Sequence, residues 1–281
     1  AGSSHFKLPT GPIDEFPSVE FSPPGPSIRV SREDLLNTLR RVSVAAAKDA
    51  TRFNMHSVLF DGQEDELRIV STDGKRMAVS ALSVVAGGDE GLPSGQFILP
   101  LKGVDLLSKI LANEADEEVV LHLDQNEVAY VSDRESLTCR LVEGKFPDYE
   151  RAVPQKFKCV FVINTENLLV ALRQAALMAT KETNSVRFVF GSDSATLSSS
   201  ASNVGESRIE FPVQKTAGEE EEFVIHFNPG YLIELLKVVG TTQIQCGFSD
   251  GKTAGLFTIP DEEKSYQHIV MPLVVNEMQE A

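Results

Sequence analysis

The chain has 281 residues, 42% hydrophobic and 24% charged, with a net charge of −15; this is the composition of a globular protein long enough for two domains, and it excludes a disordered chain. No apolar run approaches the ~20 residues of a membrane-spanning helix, and no basic-then-apolar leader opens the sequence. Three separated cysteines (Cys139, Cys159, Cys246) without a CxxC pair read as reduced core residues of a cytoplasmic protein.

Residues 1–27 combine a strand-like "SHFKL" with "PTGPIDEFPSVEFSPPGPS", which carries six prolines. This reads as the end of one domain and a linker into the next. At Val30, "VSREDLLNTLRRVSVAAAKDA" opens a helical pattern that returns as "INTENLLVALRQAALMATKET" at Ile163, an offset of 133. Both copies begin with an N-cap candidate (Ser31, Asn164) and an acid in the first turn. The alternating segments "ELRIVST" and "RMAVSAL" flank Asp73-Gly74, a dipeptide that favours a hairpin turn. "FILPLKGVDLLSKIL" is matched by "VIHFNPGYLIELLKVV" through Pro100 and Pro229, each a strand, a turn and an amphipathic helix. Further strands are expected at "EVAYVSD", "LTCRLVE", "SVRFVFG" and "SRIEFPV". The chain therefore reads as α+β: two tandem copies of a unit with two helices packed on antiparallel sheets.

Helical geometry puts Leu35, Leu39, Val42 and Ala46 on one face of the first helix, with Arg41 and Lys48 opposite and Arg40 flanking. The repeat puts Leu168, Leu172, Ala175 and Ala179 inward, Lys181 outward and Arg173 to the side. Leu107 and Leu111 face in where Lys102 and Lys109 face out. Over residues 31–50, 101–112, 164–181 and 228–240 there are nine bases and six acids, a surplus of three that leaves −18 to the rest of the chain. Such helices offer a phosphate backbone a sequence-independent surface. Leu177 breaks the pattern by facing outward with Met178 beside it, which marks a subunit contact.

No catalytic constellation is visible. "DGKTAG" at Asp250 lacks the first glycine of a phosphate loop, since Cys246 stands there. "GLPSG" has its serine one position late for a nucleophile elbow. The five histidines show no metal-ligand spacing, and the acidic runs at Asp116 and Glu219 read as solvated loops. No cofactor is expected. A phosphate-handling enzyme built on "STDGKR" and "DGKT", and a peptide-binding scaffold without a DNA role, remain as rival readings.

The segments "TRFNMHSVLF", "ELRIVSTDGKRMAV", "LVEGKFPDYERAVP" and "HIVMPL" together resemble the bacterial sliding clamps, the β subunits of DNA polymerase III. The resemblance covers nearly the whole chain. It implies the DNA-clamp fold, with residues 1–17 similar to the close of a first clamp domain, 18–150 to the middle domain and 151–281 to the C-terminal domain. It further implies a non-catalytic processivity factor: a head-to-tail homodimeric ring around duplex DNA that takes short hydrophobic peptides from the polymerase, the clamp loader and repair proteins. By motif, the peptide pocket falls on Met55, Thr72, Gly74, Lys75, Arg76, Met77, Pro147, Arg151, Ala152, Thr183, Ile269, Met271, Pro272 and Leu273. Lys48, Arg52, Phe53 and Lys102 match family positions facing the DNA, where Arg41, Lys109 and Lys181 join them from the helix faces. Leu177 and Met178 match the subunit contact. Thr183 stands where the family often has a larger side chain, and Asn54 where it often has an aromatic. The tail "VVNEMQEA" runs past the family's usual ending.

Overall fold

The computed structural model describes residue 3 and residues 5–15, 25–49, 55–63, 66–87, 93–179, 184–201 and 205–274. His5–Leu8 do not form the expected strand; the segment is exposed and irregular, and a short 3-10 turn follows at Ile13–Glu15.

The first unit runs β1 (Ser27–Ser31), α1 (Arg32–Ser43), β2 (Ser57–Gly62), β3 (Glu66–Thr72), β4 (Arg76–Gly87), β5 (Gly95–Pro100), α2 (Leu101–Asn113), β6 (Glu118–Leu123), β7 (Glu127–Val131) and β8 (Ser136–Arg140). The second runs β9 (Cys159–Asn164), α3 (Thr165–Ala176), β10 (Val186–Phe190), β11 (Ser194–Ala201), β12 (Gly205–Pro212), β13 (Gln214–Ala217), β14 (Phe223–Phe227), α4 (Pro229–Val238), β15 (Gln243–Phe248), β16 (Gly255–Thr258) and β17 (Tyr266–Val270). In the first unit the long strand β4 belongs to two sheets, pairing with β3 along one part and with β1 at its far end. Its counterpart in the second unit is broken into β12 and β13 around Val213. Pro212 has no N–H to give a ladder there, and Val213 donates instead to the Asp193 carbonyl at 3.0 Å.

The helix starts follow the sequence. Ser31 Oγ accepts from the Asp34 amide at 3.3 Å, and Asn164 Oδ1 accepts from the Asn167 amide at 3.0 Å. Both helices stop earlier than their apolar periodicity suggested, at equivalent points. The Ser71 hydroxyl, reaching in from β3, takes the Val42 carbonyl, and the Ser199 hydroxyl from β11 takes the Ala175 carbonyl at 2.7 Å. Main-chain bonds from Ala45 to Val42 and from Met178 to Ala175 tighten each last turn. Ala46, Lys48, Leu177 and Ala179 thus lie on the exits of α1 and α3, beyond the helices proper.

The two units share a seam. β17 of the second pairs antiparallel with β4 of the first, from Tyr266 opposite Ser80 to Val270 opposite Arg76, and this joins their sheets into one of thirteen strands. Bonds from Ala81 N–H to the Ser265 carbonyl (2.9 Å) and from Met271 N–H to the Lys75 carbonyl (2.8 Å) extend the ladder at each end. On the helical side, α2 packs on α1 and α4 on α3, with α1 and α4 touching across the seam, so the four helices form one row. Leu35, Leu39, Val42, Leu107, Leu111, Leu168, Leu172 and Ala175 all point from that row into the core. The second unit's interior is aromatic: Phe248 lies within 5.2–6.4 Å, centroid to centroid, of Phe161, Phe190, Phe223, Phe227 and Phe257.

Candidate functional site

The basic residues of the helix row divide into two sets. Arg40, Lys102, Lys109, Arg173 and Lys237 are exposed and have no ion pair among the described residues. The others are engaged in holding the fold. Arg32 donates to the Asp116 and Leu111 carbonyls at 3.0 and 3.1 Å, closing the end of α2. Arg41, expected on the open face, is half-buried with its guanidinium 5.6 Å from the Tyr266 ring centroid, across the seam. Lys48 is exposed, but its ammonium meets Glu234 of α4 at 2.6 Å. Arg52, Phe53 and Lys181 lie outside the described residues.

The residues expected in a pocket come from three distant stretches, and the fold brings most of them to one place. Thr72 and Met77 are opposite each other across the β3–β4 hairpin, and Met77 is opposite Ile269 across the seam. Met77 and Ile269 are buried in a satellite apolar cluster that also holds Phe146 and Tyr149 of the segment joining the units. That segment carries Pro147, Arg151 and Ala152, and it is pinned to the first unit. The Tyr149 hydroxyl donates to Asp61 at 2.6 Å and Glu150 pairs with Arg68 at 3.0 Å. Met271 is 45% exposed beside the hairpin, Pro272 is buried, and Met55 and Leu273 are half-buried. Thr183 lies outside the described residues.

The hairpin tip is braced by local hydrogen bonds. Asp73 Oδ1 accepts from the Lys75 and Arg76 amides at 2.8 and 2.9 Å, and Gly74 takes a left-handed φ of 83° that a side chain would resist. Gly74 and Lys75 are exposed; Arg76 is not. Expected to present its charge at the wall, Arg76 is 4% exposed and acts from behind it. It pairs with Asp73 at 3.1 Å and Glu234 at 2.6 Å, and its guanidinium lies 4.6 Å from the Tyr231 ring centroid. Burial pushes the Glu234 carboxyl up, but hydrogen bonds from Lys48 and Arg76 more than offset this and hold it below the ordinary glutamate range. Near Arg76, His268 is fully buried against the Tyr266 hydroxyl at 3.2 Å. Burial, with the Arg76 charge adding to it, lowers the His268 pKa to about 3, so the ring is neutral.

A cavity of about 660 Å³ opens next to the hairpin. Its walls include Lys75 and Arg76, the α1 exit at Lys48, Asn228 at the N-cap of α4, and Tyr231 and Glu234 within that helix. Sequence reasoning missed these last three, having taken "NPGYLIELLKVV" only as an amphipathic helix. The signal was available in part: Tyr231 and Glu234 are one turn apart, on one face.

Neither Asp-Gly turn is a phosphate cradle. In each, the aspartate accepts the amides a phosphate would need; Asp250 Oδ1 takes those of Lys252 and Thr253 at 2.8 and 2.7 Å. No group of three or more metal-ligating side chains occurs among the described residues, and no helix among them is long and apolar enough to cross a membrane.

The DNA polymerase III beta subunit central-domain family matches residues 29–148, and the C-terminal-domain family of the same subunit matches 150–274. The chain belongs to the DNA polymerase III beta-subunit family. The beta sliding clamp of Pseudomonas aeruginosa is 30% identical over 276 residues, spanning 97% of this chain and 72% of the relative. The crystal structure of the Thermotoga maritima beta subunit superposes with a TM-score of 0.86 at 29% identity, covering 98% of this chain and 72% of that one. A P. aeruginosa sliding clamp bound to griselimycin superposes with a TM-score of 0.85 at 29% identity, with 98% and 72% coverage. As a member of this family the chain is a polymerase processivity factor, an accessory subunit that catalyses no reaction. The fold expectation, α+β with helices on antiparallel sheets in the clamp arrangement, is met.

Proposed function

We propose that the helix row faces duplex DNA and that the cleft beside the hairpin receives short apolar segments of replication and repair proteins. The observation that carries this reading is the seam. It joins the last strand of one unit to the fourth strand of the next while keeping all four helices in a single row. The same edges recur at the outer ends: β8 is the repeat counterpart of β17, β12 that of the β4 segment at the seam, and among the described residues each has an unpaired side. Adding further units by the same rule, from this or another chain, extends the row of helices into a ring. Leu177, 75% exposed, and Met178 flank the open β12 edge and supply the apolar part of that subunit contact, giving the homodimer.

In this reading Lys102 and Lys109, with Arg40, Arg173, Lys237 and the exposed Lys48, meet phosphates without reading bases, as befits a sliding contact on DNA in the bacterial cytoplasm. Arg52, Phe53 and Lys181 belong to the same face by motif. Met55, Thr72, Gly74, Lys75, Met77, Pro147, Arg151, Ala152, Thr183, Ile269, Met271, Pro272 and Leu273, with Asn228 and Tyr231, form the peptide site. Methionine surfaces adapt to several partners there, and the fixed hairpin orients them. The griselimycin complex of the P. aeruginosa relative supports a ligand-accepting cleft in this fold.

The test is duplex DNA association as a function of salt. Charge reversal at Lys102 and Lys109 removes two phosphate contacts, so the slope of log affinity against log salt falls by about 2. An unchanged slope overturns the assignment of the helix row to DNA.

A further inference from the structure

Glu234 stands between the two surfaces. One carboxylate oxygen, Oε1, meets the Lys48 ammonium at 2.6 Å, and the other, Oε2, meets Arg76 Nη2 at 2.6 Å. Lys48 is 74% exposed at the exit of α1; the Arg76 side chain is 3% exposed behind the cleft wall. Arg76 Nε is satisfied by Asp73, but its Nη1 is buried and finds no acceptor among the described residues. A guanidinium and a carboxylate pair best through two parallel bonds. Here the oxygen that could complete the fork toward Nη1 is held by Lys48.

We propose that Glu234 is a positioning residue that couples the DNA-facing side to the peptide cleft, resting on the assignments made above. When a phosphate draws Lys48 away, Glu234 Oε1 is released to Arg76 Nη1. Arg76 then holds α4 by a two-bond fork while keeping Asp73 through Nε. The Asp73–Lys75 turn and Tyr231, on which Arg76 lies, become more firmly placed on either side of the cavity. A better-organised cleft binds its ligand more tightly, because less ordering remains to be done on binding. The linkage is reciprocal, so an occupied cleft also strengthens DNA association.

Two variants separate this from a purely structural role. Lys48→Met removes the exposed competitor, and Glu234→Gln removes the charge that Lys48 and Arg76 share. With griselimycin as the probe, Lys48→Met raises affinity about two- to fivefold, the range of an exposed ion pair, and has no effect in the Glu234→Gln background. Adding a short duplex to the otherwise unaltered chain moves affinity in the same direction. Hydrogen exchange reads the inference without a cleft ligand: Lys48→Met slows exchange of the Lys75 and Arg76 amides, again only where Glu234 is present. Equal effects of Lys48→Met in both backgrounds, or faster exchange, overturn the coupling. Failure of the unaltered chain to bind griselimycin counts against the cleft assignment itself, and the exchange measurement still decides the role of Glu234.

Discussion

Replacing Arg76 by methionine, which keeps much of the length and loses the charge, separates two roles that its position in "STDGKR" confuses. At 3% side-chain exposure Arg76 bridges Asp73 and Glu234, at 17% and 33% exposure, and packs on Tyr231. Removing one partner of a buried pair costs about 3–5 kcal/mol when the survivor stays buried and unpaired. Here the two carboxylates are partly hydrated and Glu234 keeps Lys48, which reduces the cost to about 2–3 kcal/mol. Lys48→Met breaks a pair to the same carboxylate, yet its lysine is mostly in water, where such a pair contributes about 0–1 kcal/mol. At about 2–4 °C per kcal/mol for a chain of this size, Arg76→Met lowers the melting midpoint by about 4–12 °C. On the same scale Lys48→Met lowers it by less than about 4 °C. Calorimetry at low and high salt measures both shifts, and added salt further shrinks the smaller one, since screening acts on exposed pairs. Equal shifts for the two variants would refute the claim that burial, and not proximity to Glu234, sets the strength of the seam.

Gly103→Ala sets helix propensity against packing. Alanine gains about 1 kcal/mol within α2, but its Cβ would sit well inside contact distance of the buried Cys139 sulfur on β8. Overpacking costs about 1–3 kcal/mol, so urea denaturation finds the variant less stable, and Cys139→Ala in the same chain restores it. Met271→Ala and Arg151→Ala each weaken griselimycin binding by about fivefold or more, the loss typical of an anchoring residue; unaltered affinity in titration calorimetry would remove both from the site. His268 is protonated at about 3 when folded and at its ordinary 6.5 when unfolded, so the unfolded chain binds more protons. Stability is therefore lost as pH falls below about 6.5, by up to about 1.4 kcal/mol per pH unit from this one group. His268→Gln flattens that slope in denaturation curves collected between pH 7 and 5.

The sequence made the helices and most strands legible because periodicity reports burial directly. Leu35, Leu39, Val42, Leu168, Leu172 and Ala175 point inward as their spacing requires. Helix ends were less legible, since the carbonyls of Val42 and Ala175 are taken by hydroxyls from strands 24 or more residues away in sequence. The pocket residues could be gathered by resemblance, but a local motif cannot say which way a side chain turns. Arg76 and Lys75 are neighbours in sequence; one is buried by Glu234, 158 positions on, and the other is left exposed. Helical angle points Arg41 outward, and angle together with family resemblance does so for Lys48, but the partners that engage them, Tyr266 and Glu234, belong to the other unit.

The seam also has a mechanical meaning. Because its ladder runs across the boundary between units, turning one unit against the other breaks backbone hydrogen bonds and does not merely flex a linker. The pair behaves as a stiff arc whose curvature is set by how the joined sheet twists and coils. Thermal opening is therefore resisted here and falls instead on whichever junction lacks such a continuous ladder or the charged clasp beside it.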